Sequence, residues 1–173
     1  MKGVADAVRE AGIPCFGPGA AGAQLEGSKR FSKELMARAG IPTAAYGSFT
    51  DEESALAYVR EQGAPVVVKA DGLAAGKGVV VALTLDEALQ AVHECFDGAF
   101  GAAGSTVVIE EMLTGPECTL LAFTDGKIVR PMATSQDHKR ALEGDLGPNT
   151  GGMGVYSPVP IVTDEEHAEM CRI

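Results

Sequence analysis

Apolar positions along the chain switch between two spacings, and each switch marks an element. Residues 3–11 carry apolar side chains at helical spacing, and residues 13–16 are a short apolar run that reads as a strand. A second helix begins near Ser28, places Phe31, Leu35 and Met36 on one face, and stops at Gly40 with Pro42 just beyond. Thr50 and Glu53 have capping-box spacing for a helix that ends at Gly63. Val66-Val67-Val68 and Gly78-Val79-Val80-Val81 are β-branched strands on either side of a glycine-rich stretch. Thr84 and Glu87 repeat the capping box ahead of a helix with Leu89, Val92, Cys95 and Phe96 on its apolar face. Val107-Val108-Ile109 is the next strand, and residues 117–123 the one after it. Asp125-Gly126 reads as a hairpin turn into residues 127–132, and Thr163 with Glu166 caps a last helix.

Residues 47–116 therefore form a unit ordered strand, helix, strand, loop, strand, helix, strand. The two strands flanking the glycine stretch have no helix between them, which predicts an antiparallel pair. The fold class is α/β or α+β, and the antiparallel pair favours α+β.

Composition narrows the setting. A chain of 173 residues with 46% hydrophobic content builds one core or two small lobes. No apolar run is long enough to span a bilayer. Lys2, Asp6, Arg9 and Glu10 interrupt the start of the chain, where a signal peptide needs an unbroken apolar segment, so a cytoplasmic protein is expected. The cysteines, Cys15, Cys95, Cys118 and Cys171, include no C-x-x-C pair, which argues against a zinc site or a disulfide scaffold. The net charge of −10, with no basic run beyond His138-Lys139-Arg140, argues against a nucleic-acid partner. An anionic small ligand stays open, provided a few lysines and backbone N–H groups hold it locally.

The 22 glycines cluster at residues 17–22, 72–78 and 144–154, as in loops shaped around a ligand. Gly17-Pro18-Gly19-Ala20-Ala21-Gly22 fits G-x-G-x-x-G, but no second strand ends in an acid at the right distance and Pro18 removes an N–H. A strand-to-helix connection is the preferred reading. Lys69-Ala70-Asp71-Gly72-Leu73-Ala74-Ala75-Gly76-Lys77-Gly78 resembles a P-loop and fails its test, because three residues separate the glycines and Gly78 stands where Ser or Thr is needed. Small residues still let N–H groups approach an anion, with Lys69 and Lys77 supplying charge; a glycine-rich hairpin with solvated lysines explains the stretch equally well. Glu110-Glu111-Met112-Leu113-Thr114-Gly115-Pro116-Glu117 leaves a strand, so its backbone suits an adenine edge and its later acid a ribose. An acidic hinge is the plainer alternative. Ser135-Gln136-Asp137-His138-Lys139-Arg140 and Gly147-Pro148-Asn149-Thr150-Gly151-Gly152-Met153-Gly154 are polar and irregular, and both are predicted as loops. No nucleophile–histidine–acid set is recognisable, so no catalytic side chain is assigned.

The order of these pieces resembles the ATP-grasp superfamily, whose α+β lobes sandwich ATP. The closer likeness is to the phosphoribosylamine–glycine ligase family, carried by Leu25-Glu26-Gly27-Ser28-Lys29, the stretches 69–78 and 110–117, Ala133-Thr134-Ser135-Gln136-Asp137-His138-Lys139-Arg140 and residues 147–158. The resemblance implies ligation of glycine to 5-phosphoribosylamine through a glycyl phosphate, with ATP and Mg²⁺ or Mn²⁺ as cofactors, in purine biosynthesis. By that likeness Lys29 and Lys69 hold ATP phosphates. Gly72, Gly76, Lys77 and Gly78 belong to a mobile flap, Glu110, Glu111 and Leu113 flank adenine, and Glu117 takes the ribose. Asp137, His138 and Lys139, with Gly151, Gly152 and Met153, face phosphoribosylamine and glycine. Pro116 and Cys118 stand where the family pattern has more polar residues.

The likeness also implies a division of the chain. Residues 1–46 would be the end of an N-terminal α/β domain with a connecting helix, 47–116 the small lid subdomain, and 117–173 the first part of the larger subdomain. The family's chain is much longer and its metal carboxylates fall downstream, so no metal ligand is assigned and this stretch alone is expected to be inactive. A monomer is the expectation. Two rivals stay open: an ATP-grasp carboxylate–amine ligase with another substrate, against which the Asp137 and Gly151 segments argue, and a non-catalytic nucleotide-binding module.

Overall fold

The computed structural model describes residues 3–72, 78–144 and 146–173, which divide into two compact units between Leu113 and Thr114. The first unit opens with helices α1 (Val4–Glu10), α2 (Ala20–Gly27) and α3 (Lys29–Ala39). Residues 13–16 are not the expected strand. They form a connection outside the sheet, where the Arg9 guanidinium donates to the carbonyls of Cys15 at 3.3 Å and Gly17 at 2.5 Å. An apolar run becomes a strand only where a neighbouring strand takes up its backbone groups. Helix α2 has no apolar stripe to announce it, being largely Ala and Gly; its Ala20 N–H is taken by Asp6 Oδ2 of α1 at 2.7 Å. Helix α3 starts as expected, Ser28 Oγ accepting from the Phe31 N–H at 3.0 Å, and ends at Gly40 in the left-handed region with φ of 69°.

The remainder of this unit is β1 (Tyr46–Phe49), α4 (Glu52–Gln62), β2 (Val66–Ala70), β3 (Val79–Ala82), α5 (Leu85–Phe96) and β4 (Val107–Glu111), the order that the apolar pattern predicts. The cap of α4 is Asp51 rather than Thr50: its Oδ1 accepts from the Ser54 N–H at 2.8 Å. That bond holds the Asp51 carboxyl below its ordinary value, and a charged cap also suits the positive end of a helix. The capping box of Thr84 and Glu87 forms as expected.

The sheet runs in the order β1-β4-β2-β3 with every neighbouring pair antiparallel, including the pair that flanks the glycine stretch. Strand β2 alternates. Val66, Val68 and Ala70 are buried among Ala55 and Val59 of α4 and Ala88, Val92 and Cys95 of α5, while Val67 and Lys69 point to the other face. Central β4 is buried on both faces over its first four residues, ending at Glu110. A 3-10 turn, Gly101–Ser105, leads from α5 into β4.

The second unit contains the hairpin β5 (Ala122–Thr124) and β6 (Val129–Pro131), the hairpin β7 (Gln136–Leu142) and β8 (Leu146–Tyr156), and α6 (Asp164–Met170) behind its Thr163–Glu166 capping box. The Asp125-Gly126 turn is as expected, with Asp125 Oδ1 accepting from the N–H groups of Lys127 at 2.9 Å and Ile128 at 2.8 Å. The strand foreseen over residues 117–123 is shorter: Thr119 makes an isolated bridge to Ser135, and regular pairing begins at Ala122. The two polar segments predicted as loops are instead strands, paired with each other at Gln136↔Tyr156, Asp137↔Val155 and His138↔Gly154. Their pairing is broken by bulges and burial leaves most of β7 exposed, so no alternation of apolar residues marked them.

Cys95 offers a direct check on the core of the first unit. Its thiol is 2% exposed, and burial, aided by the charge of Glu94, pushes it from an ordinary 9.0 up to about 11. An alkylating reagent at mildly alkaline pH is expected to modify exposed Cys171 and spare Cys95 until the unit unfolds, as read by peptide mass spectrometry. The unfolded chain loses this proton first as pH rises. Stability is therefore intact below pH 9 and falls across the window to pH 11 by roughly 2–3 kcal/mol, a decline that Cys95→Ala should remove.

Candidate functional site

Alternation along β2 places Lys69 on the face away from α4 and α5, at the strand's end. Its Nζ lies 2.9 Å from Oε2 of Glu110 on neighbouring β4. The same oxygen takes Nζ of Lys33 at 3.2 Å, so two ammonium groups share one carboxylate. Lys33 comes from α3, and its other protons go to Thr43 Oγ1 at 2.7 Å and the Ala44 carbonyl at 3.2 Å. Lys33 and Glu110 are both buried, whereas the Lys69 side chain is 26% exposed, so the net positive charge of the trio is presented through Lys69.

The same end of β2 receives Lys29, the first residue of α3. Its Nζ donates to the carbonyls of Ala70 at 2.8 Å, Gly72 at 3.2 Å and Asp71 at 3.4 Å. Burial pushes the Lys29 ammonium below its ordinary value; Asp71 opposes that shift and the charge of Lys69 adds to it. The Asp71 carboxylate accepts from Ser28 Oγ at 3.0 Å and from the Arg30 N–H at 2.7 Å, so it caps α3 from the strand's end. Gly72 is tightly packed: a Cβ there would lie 2.8 Å from Cβ of Ala103. Buried Gly78 returns its carbonyl to the Ala70 N–H at 2.8 Å. Gly76 and Lys77 lie outside the described residues. Glu111 gives its N–H to the Ala45 carbonyl at 2.9 Å, and Leu113, 68% exposed, closes the unit.

In the second unit the hairpin brings the two polar motifs together. Asp137 and Lys139 project to one side of β7 and, with Ser135, Gly151, Gly152 and Gly154, line a cavity of about 600 Å³. Lys139 Nζ lies 2.7 Å from Glu117 Oε2 and 3.8 Å from Asp137 Oδ1. The Glu117 bond holds the Lys139 ammonium above its ordinary value, with Asp137 adding a smaller push. His138 stacks on Tyr156, ring centroids 5.5 Å apart, and neither it nor Met153 is among the described residues lining the cavity. Glu117, the expected ribose acceptor, is held by Lys139.

Sequence reading missed Lys33 and the cap supplied by Asp71. Lys33 stands four residues after Lys29, which puts both on one helical face, and that spacing was the available signal. Among the described residues no group of three or more His, Cys, Asp or Glu is placed to hold a metal ion.

A four-stranded antiparallel sheet backed by two helices, followed by smaller antiparallel hairpins, is an α+β architecture of the ATP-grasp class. A biotin carboxylase domain from Hydrogenobacter thermophilus, solved with MgADP, superposes on 96% of this chain with a TM-score of 0.76 at 24% identity, a likeness of fold alone. Residues 27–173 match the family described as phosphoribosylglycinamide synthetase, ATP-grasp (A) domain, and the chain belongs to that family. Phosphoribosylamine–glycine ligases are similar in sequence, 64% identical over 165 residues in Rhizobium meliloti and 61% over 168 in Escherichia coli K12. These alignments cover 95% and 96% of this chain, and the chain spans 39% of the length of each relative. The crystal structure of the Thermotoga maritima enzyme superposes on 84% of this chain and 38% of its own, with a TM-score of 0.77 at 38% identity.

Proposed function

We propose that this chain carries the ATP-holding part of a ligase that joins glycine to 5-phosphoribosylamine. In that reaction the γ-phosphoryl group of ATP passes to the glycine carboxylate, leaving ADP. The amine of 5-phosphoribosylamine then attacks the acyl carbon, phosphate departs and glycinamide ribonucleotide forms. No protein nucleophile is needed, so the protein's task is to neutralise and position charge. The observation that carries the reading is the convergence of Lys29 and Lys69 on the end of β2, where the glycine stretch begins.

In this reading Lys29 and Lys69 meet the phosphates, and the glycine stretch with Gly72, Gly76, Lys77 and Gly78 covers them. Glu110, Glu111 and Leu113 border the adenine with their backbone, and Glu117 takes the ribose. Asp137, Lys139 and the glycines of β8 form the wall facing glycine and phosphoribosylamine, with His138 and Met153 beside it. Residues 1–46, 47–116 and 117–173 would then be the end of an N-terminal domain, the lid and part of the larger lobe of a cytoplasmic enzyme. A divalent metal would add charge neutralisation to the phosphoryl transfer, and none of the carboxylate groups among the described residues is clustered to hold it.

The test is glycinamide ribonucleotide formation from ATP, glycine and phosphoribosylamine generated in situ, comparing this chain with the full-length protein, alongside titration of each with a non-hydrolysable ATP analogue. Turnover is expected from the full-length protein and not from residues 1–173 alone. ATP binding without product, when the full-length protein is supplied with all three substrates, would sink the assignment of substrates.

A further inference from the structure

We propose that Lys33 is a positioning residue for the nucleotide site: by neutralising Glu110 from inside the fold, it leaves the charge of Lys69 free to meet a phosphate. The inference rests on the ATP-binding reading above. Lys33 cannot serve a ligand itself. It is 6% exposed, and its three donors are taken by Glu110 Oε2 at 3.2 Å, Thr43 Oγ1 at 2.7 Å and the Ala44 carbonyl at 3.2 Å. The ring of Tyr46, with its centroid 5.4 Å from Nζ, adds a further hold on the ammonium.

Glu110 is 7% exposed and its Oε2 receives both lysines, so the trio carries one net positive charge. Lys69 alone of the three has an accessible side chain, at 26%. Without Lys33 the carboxylate would have a single partner. Glu110 and Lys69 would then form a neutral pair, and a phosphate would have to compete with a desolvated carboxylate for the Lys69 ammonium. With Lys33 present the carboxylate is already satisfied, and Lys69 is aimed by it without being neutralised. Lys33 and Lys69 reach Glu110 from separate elements, α3 and β2, so the trio also fixes where Lys69 stands relative to Lys29 on α3.

The experiment uses Lys33→Met, Glu110→Gln and the double variant in the full-length protein. Affinity for a non-hydrolysable ATP analogue is measured by calorimetry. The acylation rate of Lys69 by a neutral amine-reactive reagent is followed without nucleotide by mass spectrometry. Lys33→Met is expected to weaken analogue binding about tenfold and to slow Lys69 acylation, because Glu110 then holds Lys69 alone. Adding Glu110→Gln is expected to restore both. A merely structural Lys33 predicts no such recovery, so a double variant no better than Lys33→Met overturns the proposal, as does wild-type behaviour of Lys33→Met. Should Lys33→Met fail to fold, Glu110→Gln and the double variant decide: equal binding supports the proposal, and a further loss on removing Lys33 overturns it. Failure of the wild-type protein to bind the analogue would instead refute the functional reading, while the acylation rates still report whether Lys33 governs Lys69.

Discussion

Lys69→Ala is expected to weaken binding of an ATP analogue by a factor of about ten to a hundred and to leave the fold of the first unit intact. The loss in affinity follows from a charge-assisted hydrogen bond, worth about 1.5–3 kcal/mol, where each 1.4 kcal/mol is a factor of about ten. The fold survives because the buried carboxylate of Glu110 keeps Lys33 as a partner at 3.2 Å. Removing one member of an isolated buried pair leaves an uncompensated charge and costs about 3–5 kcal/mol; here the second lysine prevents that. Lys29 makes the contrast. Its ammonium holds three carbonyls at the end of β2, so Lys29→Ala is expected to lower stability and affinity together. Calorimetric titration of both variants, with a thermal melt of each, separates the two outcomes. A silent Lys69→Ala would remove the phosphate role assigned to this lysine.

The order of elements from β1 to β4 was legible because its signals are local. β-branched runs make β2, β3 and β4, and the Thr84–Glu87 capping box and the left-handed Gly40 mark helix ends within a few residues. Apart from the cap of α4, which falls one position later than expected at Asp51, the misses are places where a distant residue decides. Residues 13–16 are apolar enough for a strand yet lie outside the sheet, and α2 is completed by Asp6, 14 residues away in sequence. The two segments predicted as loops are strands because each supplies the other's hydrogen bonds, and Gly-rich polar sequence carries no period-2 signal. The same limit holds at the candidate site. Lys69 stands out as a lysine ending a β-branched strand. Lys33, by contrast, becomes meaningful only once α3 and β4 bring it to a carboxylate 77 positions further along.

Gly104→Ala is expected to destabilise the first unit by about 3 kcal/mol and to weaken nucleotide binding in the same variant, though residue 104 belongs to no motif of the phosphate site. A Cβ at this position would lie 2.2 Å from the carbonyl oxygen of Cys95, 3.1 Å from its carbon and 3.5 Å from its Cα. These are backbone atoms near the end of α5, so no side-chain rotation relieves the overlap, and the turn Gly101–Ser105 must lift away from the helix. That turn also supports the end of β2. The Thr106 carbonyl accepts from the Asp71 N–H at 2.9 Å, that of Ala103 from the Gly72 N–H at 3.5 Å, and Gly72 is packed against Ala103. Displacing the turn therefore shifts the carbonyls of residues 70–72 that hold Lys29. Gly98→Ala is the comparison. Its Cβ would meet nothing within 4 Å, and the cost comes from a φ of +86° alone, about 1 kcal/mol. Hydrogen exchange of β2 and β4, measured for both variants, should show the larger loss of protection for Gly104→Ala, extending to Ala70 and Asp71. Equal losses, or a Gly104→Ala variant with wild-type protection, would mean that the turn is not packed on α5 as described.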